Sequence, residues 1–511
     1  QESRASGESA ALLEALVPLY RHDFATAEAR ALAAAASSPW LFEGRKLAGD
    51  AAYAAALDAT DHGDYDGARR GLERAAALYA QASEVARSDA SVYEAAAATW
   101  LARAELDVRQ GRAPKEPLES ALAAVDRALT ADPDDAPTHT TKAYVLLRRY
   151  QANLDQGGDQ RQLFDRIAAA AEGAVALDAR DVAAWDALGN VHVYRASYEM
   201  YHGGKGEPWL RRALDEFDRA LALRPNDPWA NNDAGAAHRW LGTALYDAGA
   251  DPMPEYRAAM RSYQRATAVD PQYLFAWGNQ VDIAVAIAEQ EAATGTDPHA
   301  SVEAAGRAGE RGLAIDPTYY VLLETMAAAQ LALADYLVAH GGDPAAALTT
   351  ARGYLDRAIA INASHVTSWF YRAVAARLEA RAALARGGDA RPAISAGYAA
   401  IAQALKLEPA SPDAWVERAR LELVDAQARH GEAALFARAR GDADKAIALD
   451  GRYAEAQLTA ALVCLEQAKQ QQSAEAARRG LAYADAAIAI NPKLEEAKKV
   501  RAALALEGGR N

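Results

Sequence analysis

His192 and His238 stand 46 residues apart, at equivalent places of a repeated sequence. A neutral imidazole can ligate a metal or relay a proton, so such a pair is where coordination or acid–base chemistry is first sought. Neighbouring helices in a stack lie ~8–10 Å apart axis to axis, too far for two imidazoles to share an ion unless both side chains converge. Cys464 is the only cysteine. That rules out an intrachain disulfide or a cysteine-based zinc site, and the residue reads as a small buried apolar group. Gly295-Thr296-Asp297-Pro298 is a turn without the Gly-Lys-Ser/Thr that follows in a phosphate-binding loop. The sequence contains no His-Glu-x-x-His and no glycine-flanked nucleophilic serine. Acidic residues are plentiful, but no two are marked as acid and base. No catalytic, cofactor-binding or metal-ligating residue is therefore expected, and the chain is not read as an enzyme.

The dominant feature is a period. A phrase of alanine, apolar and acidic residues closes at Arg87, Pro133, Ala179, Pro225, Pro271, Pro317, Ala363 and Pro409, each 46 residues after the last, with shorter copies closing at Gly451 and Pro492. Counting from this marker, the fifth residue before it is always small: Ala82, Ala128, Ala174, Ala220, Ala266, Gly312, Ala358, Ala404, Ala446 and Ala487. With the apolar residues four and two before the marker, such as Leu221/Leu223 and Ile359/Ile361, it makes one stripe of a helix. Ten residues after the marker lies a second small column, including Ala97, Ala143, Gly189, Gly235, Ala373 and Ala419. Six after it stand rings: Tyr93, His139, Trp185, Trp277, Trp369 and Trp415. A large ring against a small partner is how antiparallel helices interlock, so these tryptophans are expected in the core. The marker proline stops one helix, and capping turns such as Asn226-Asp227-Pro228 and Ser411-Pro412-Asp413 start the next. Breaks at 156–159 (Gln-Gly-Gly-Asp), 203–206, 249–252, 341–344 and 387–389 separate the two helices of a unit.

Composition agrees. Hydrophobic residues are 51% and aromatics 7% of 511, so alanine, the strongest helix former, supplies much of the apolar share. A net charge of −15 argues against nucleic acid as partner. No uninterrupted apolar stretch reaches the ~18–20 residues of a membrane span; Val321–Val338 comes nearest but carries Glu324, Gln330 and Asp335. No membrane insertion is expected. The start lacks a signal peptide's basic end and an initiator methionine, which suggests a processed chain or an excerpt. The compartment is left open between cytoplasm, which is favoured, and periplasm.

The units resemble the tetratricopeptide repeat, whose 34-residue form carries W-x2-L-G in its first helix and A-x3-F-x2-A…P in its second. Trp185-Asp186-Ala187-Leu188-Gly189 matches the first half, and Ala213 to Ala220 with Phe217, closing on Pro225, matches the second. The 12 extra residues per unit (46−34) imply longer helices and a roomier loop. The resemblance implies an all-α solenoid, a right-handed superhelix of about ten antiparallel helix pairs. A degenerate first pair would fill residues 1–50, the repeats 51–492, and a capping helix with tail 493–511. It also implies that first helices line a concave face. Carried over column by column, that face would hold Asp186, Asn190 and Tyr194, then Asn232 and Trp240, then Asp282, with Asp233, Arg239 and Asn279 beside them. Asparagine amides there would hydrogen-bond an extended peptide. The implied function is a protein- or peptide-binding scaffold or sensor, its partner basic or neutral. Two alternatives stand beside it. Long-unit, alanine- and arginine-rich tails of this kind resemble those following bacterial serine/threonine kinase domains, which would make the chain the signalling, substrate-recruiting part of an enzyme with an N-terminal catalytic domain. Stacked solenoid ends could also build a self-assembling structural protein.

Overall fold

A computed structural model describes residues 7–152 and 160–508. Among them every regular element is an α-helix. In order these are α1 (Gly7–Tyr20), α2 (Phe24–Ser37), α3 (Glu43–Asp61), α4 (Tyr65–Val85), α5 (Ala90–Arg109), α6 (Lys115–Ala131), α7 (Ala136–Gln151), α8 (Gln160–Leu177), α9 (Val182–Tyr201), α10 (Glu207–Leu223), α11 (Pro228–Asp247) and α12 (Met253–Val269). There follow α13 (Leu274–Ala293), α14 (His299–Ile315), α15 (Tyr320–Ala339), α16 (Ala345–Ile361), α17 (Val366–Ala385), α18 (Arg391–Leu407), α19 (Pro412–Ala428), α20 (Ala433–Leu449), α21 (Ala454–Gln471), α22 (Ala474–Ile490) and α23 (Glu495–Gly508). The expected opening pair is α1 and α2, and the expected final helix is α23, which buries Ala497, Val500 and Leu504.

The contacts divide into two compact units. One holds the described residues up to Ala244 together with Arg261–Tyr273, the other Leu245–Met260 together with the described residues from Leu274. Within each unit an odd-numbered helix lies along the even-numbered helix after it and also touches the next odd one, α5 on α7 and α7 on α9 for example, or α15 on α17 and α17 on α19. No two even-numbered helices within a unit touch among the described residues. The odd helices are thus the crowded layer and the even helices the splayed one.

Helix ends follow from local chemistry. Asp89, Asp135, Asp181 and Ser411 cap the odd helices by accepting a backbone N–H two or three residues on. At the other boundary a residue preceding proline is forced extended: Asp132 (φ −142°, ψ 102°) and Asp316 (φ −129°, ψ 97°) leave the helix while their N–H still reaches the carbonyls of Ala128 and Gly312. Those carbonyls belong to the small column. Its members are fully buried, from Ala82 and Ala128 to Ala446 and Ala487. The predicted breaks carry left-handed glycines at Gly203, Gly249, Gly341 and Gly387 (φ 79°, 74°, 74° and 69°); the break at 156–159 lies outside the described residues.

The tryptophans of the ring column pack against the core, though each is only partly buried. Trp185, Trp369 and Trp415 are half-buried, and each donates its indole N–H to the carbonyl of its own marker, Ala179, Ala363 and Pro409, at 2.9–3.0 Å. His139 reaches Pro133 at 2.9 Å in the same way, and Tyr93 reaches Arg87 at 3.2 Å. A buried indole N–H needs an acceptor, and the carbonyl just past a broken helix end supplies it. The second small column is met instead by a ring from the following even helix. A Cβ added at Gly189 would sit 2.6 Å from the Phe217 ring, and one at Gly235 would sit 2.6 Å from Tyr263.

α15 is, by length and composition, long and apolar enough to cross a membrane. Here Leu322, Leu323, Met326 and Leu331 are core residues of the second unit, and buried Glu324 accepts hydrogen bonds from His365 (2.8 Å) and Ser368. Cys464 is buried as expected, its thiol pushed up to about 11 by burial.

Two substitutions test this packing. Gly189→Ala should lower stability by about 1–3 kcal/mol through overpacking against Phe217. In a Phe217→Leu background the same change should turn neutral or stabilising by up to about 1 kcal/mol, the helix propensity gain, as read by urea denaturation. Trp369→Phe, which removes the N–H together with part of the ring's packing, should cost at least about 1 kcal/mol in the same assay.

Candidate functional site

The crowded layer of the first unit brings polar side chains of α7, α9 and α11 together. Asp186 sits one turn into α9 and is 5% exposed. Its Oδ2 accepts the Tyr144 hydroxyl from α7 at 2.7 Å and the Asn190 amide at 3.1 Å. The same amide donates to Asp233 Oδ2 on α11 at 2.6 Å, so one asparagine ties two helices through two carboxyls. Asn232 donates to Asp233 Oδ1 at 2.9 Å. Asp186 Oδ1, fully buried, has no hydrogen-bond partner.

Burial, then the neighbouring Asp233, drives the Asp186 carboxyl well above the usual carboxylate range. Asp233 is raised too, by burial, against the pull of the Asn190 and Asn232 amides and of Arg148. Tyr144 is pushed far up by burial and by Asp186. Arg148 of α7 is held by Glu105 at 2.8 Å and by the Gln151 side chain at 2.7 Å; burial works against its charge, and Glu105 more than restores it. Gln151 in turn donates to the Tyr194 hydroxyl.

Of the nine expected face residues, Asp186, Asn190, Tyr194, Asn232 and Asp233 are thus gathered around one carboxyl pair. Arg239 and Trp240 lie further along α11, the guanidinium 5.7 Å from the indole centroid and the indole edge-on to exposed Tyr201 at 6.2 Å. Asn279 and Asp282 are half-buried on α13 in the second unit, where Asp282 helps, after burial and Glu289, to push Tyr371 up to about 12. The amides do not serve as expected. The Asn190 and Asn232 amide hydrogens are turned on the carboxyls, because buried carboxyl oxygens demand donors. Tyr144 and Arg148 were missed, although they stand 11 and 15 residues after Pro133, in the columns that Asn190 and Tyr194 occupy after Ala179. Reading those columns one unit earlier finds them.

His192 performs no shared ligation. Its Nδ1 lies 2.6 Å from Glu216, both buried, and its ring stacks on Trp209. Among the described residues no three of His, Cys, Asp or Glu are gathered to hold a metal ion. An open hollow on the even-helix side is lined by Trp185, Arg212, Glu172 and Glu216, but its charges answer one another: Arg212 bonds Glu172 at 3.1 Å and Glu216 at 3.2 Å. A second carboxyl pair, Glu422 and Asp442, lies within the α19–α20 hairpin, where Arg438 and Arg418 hold it. It is a packing feature of the hairpin.

The described helices form antiparallel pairs, with small residues at the close approaches and the odd-numbered helices of each unit touching one another. The fold is tetratricopeptide-like. No family model matches the chain, and no curated protein does. Among solved structures it is similar to a tetratricopeptide repeat protein from Parabacteroides merdae, at 14% identity over 62% of this chain and 98% of that one, with a TM-score of 0.39. It is also similar to a human IFIT1 dimer with the RNA PPP-AAAA, at 13% over 89% of each chain and a TM-score of 0.46, and to yeast Tom70, at 12% over 88% and 96% with a TM-score of 0.35. With TM-scores below 0.5, these likenesses add nothing to what the chain's own helices establish.

The Glu422 pair gives a pH dependence with a definite sign. Burial, then Asp442, raises Glu422 from 4.5 to about 7. Between those values the folded chain keeps a proton that the unfolded chain has lost, so stability falls as pH rises through that window. Glu422→Gln, permanently neutral and still an acceptor for Arg438, should flatten the shift of the urea midpoint between pH 5 and pH 7.5.

Proposed function

We propose that this chain is a non-catalytic binding module that holds an extended basic or neutral peptide, or a protein segment of that kind, against the odd-helix face of its first unit. The observation that carries the reading is the gathering of Tyr144, Asp186, Asn190 and Asp233 where α7, α9 and α11 meet, with Asn190, Tyr194, Asp233 and Trp240 part-exposed on the same layer. The amide donors of that face are turned on the carboxyls. What the face offers is acceptors and rings. A guest rich in N–H groups complements it, as an extended peptide is. The net charge of −15 supports the choice of a basic or neutral guest and weighs against nucleic acid.

The test is selection from a displayed library of random peptides on the full chain, followed by affinity measurement. Asn190→Ala and Trp240→Ala should each weaken the selected peptides ~tenfold, about 1.4 kcal/mol; Asn190→Ala should also lower the melting midpoint, since it strips two carboxyls of a donor, whereas Trp240→Ala should leave it in place. Binding unchanged in both variants would move the site to another surface.

A further inference from the structure

Away from the carboxyl cluster, α1 carries an apolar stripe that the described residues do not cover. One side of this helix, Ala15 with Leu12, Leu16 and Leu19, packs into the core it shares with α2 and α3. Leu13, Val17 and Tyr20 make a second stripe at i, i+4 and i+7, and they are 55%, 49% and 82% exposed. Among the described residues no other helix exposes more than two large apolar side chains. A helix that is apolar around most of its girth is normally a buried one. By contrast α23, which closes the second unit, turns Glu495, Lys498, Lys499 and Arg501 to solvent.

We propose that the α1 stripe is a self-recognition surface: two copies of the chain join through α1, antiparallel about a two-fold axis, as a closed dimer. The charges beside the stripe select a second copy. Glu14 and Arg21 are exposed, a third of a turn from Leu13 and Tyr20. Glu14 lends only its backbone carbonyl, to Arg30 at 2.9 Å, and Arg21 only its backbone N–H, to Pro18 at 3.0 Å. In an antiparallel two-fold pairing, a row flanking the contact meets its own copy running the other way. Glu14 then faces the partner's Arg21, and Arg21 the partner's Glu14, with Val17 and Pro18 at the centre of the contact. A parallel pairing would leave all four charges without such an exchange.

The area sets the strength. The turn between α2 and α3 carries Trp40, 64% exposed, and stands beside the start of α1, where Ser38 and Leu41 share a hollow of about 170 Å³ with Ala11 and Leu12. With large apolar side chains burying ~150–250 Å² each, the exposed fractions of Leu13, Val17, Tyr20 and Trp40 come to roughly 500 Å² per copy. Two copies would bury roughly 1,000 Å², the lower bound of a specific interface. The dimer is therefore reversible, with a dissociation constant on the order of micromolar. Because the same patch serves both copies, the contact closes at two and does not propagate.

Sedimentation equilibrium of the full chain over ~1–100 µM should show monomer and dimer exchanging, with no larger species. Val17→Glu should raise the dissociation constant at least ~tenfold with the melting midpoint retained. Glu14→Arg should weaken the dimer as well, and adding Arg21→Glu to it, which restores the exchange with signs reversed, should recover it. Leu506→Glu, on exposed α23 surface, should change nothing. A monomer at every concentration would overturn the proposal and leave the stripe to a partner other than this chain. A dimer untouched by Val17→Glu, a charge reversal without recovery, or growth into larger assemblies would overturn it equally. None of these outcomes bears on peptide binding at α7, α9 and α11.

Discussion

The close approach of helices at alanine and glycine is the constraint from which the rest follows. At the fully buried column that includes Ala128, Ala220 and Ala446, the side chain is a methyl, and a bulkier residue would push the neighbouring helix away. Gly189 goes further, since the Phe217 ring occupies the space its Cβ would need. Such contacts give little dispersion per residue but are repeated throughout, as in any array stabilised by nearest-neighbour interfaces. They bring odd-numbered helices against one another as well as against their even-numbered partners.

That crowding has a polar consequence. Side chains that would be solvated on an isolated helix are brought together across α7, α9 and α11, and Asp186 loses nearly all its exposure. Buried polar groups must find partners, so tyrosine and asparagine turn towards the carboxyls. The network stops one donor short, at Asp186 Oδ1. The second carboxyl pair shows the same shortfall, since Glu422 Oε2 is buried without a partner although arginines of the α19–α20 hairpin meet that pair.

The tryptophans pack against the core as their period indicates, and they also serve a second end. Their period marks them as structural, and structural they are, yet their work is also at the turn. Each indole N–H closes a carbonyl just past the end of the preceding helix, that of Ala179, Ala363 or Pro409. A tyrosine or histidine can do this as well, which explains why the column accepts Tyr93 and His139.

Helix boundaries, the repeat interval, the small columns and the final polar helix were legible in the sequence, because each is set by residues close along the chain: a capping aspartate, a proline, an alanine at a fixed phase. The group of candidate residues was legible too, by column, and would have included Tyr144 and Arg148 had the columns been followed one unit earlier. Which amide bonds which carboxyl was not. Asn190 and Asp233 are 43 residues apart, and whether an amide faces solvent or a neighbouring helix depends on stacking distance and rotation that no local signal encodes. Nor could the linear pattern show that the contacts fall into two compact units, since equal intervals in sequence carry no record of how closely successive pairs pack. The chain's order therefore decided the elements and their phase; only their three-dimensional stacking decided which carboxyl oxygens, Asp186 Oδ1 and Glu422 Oε2 among the described residues, would be buried without a donor.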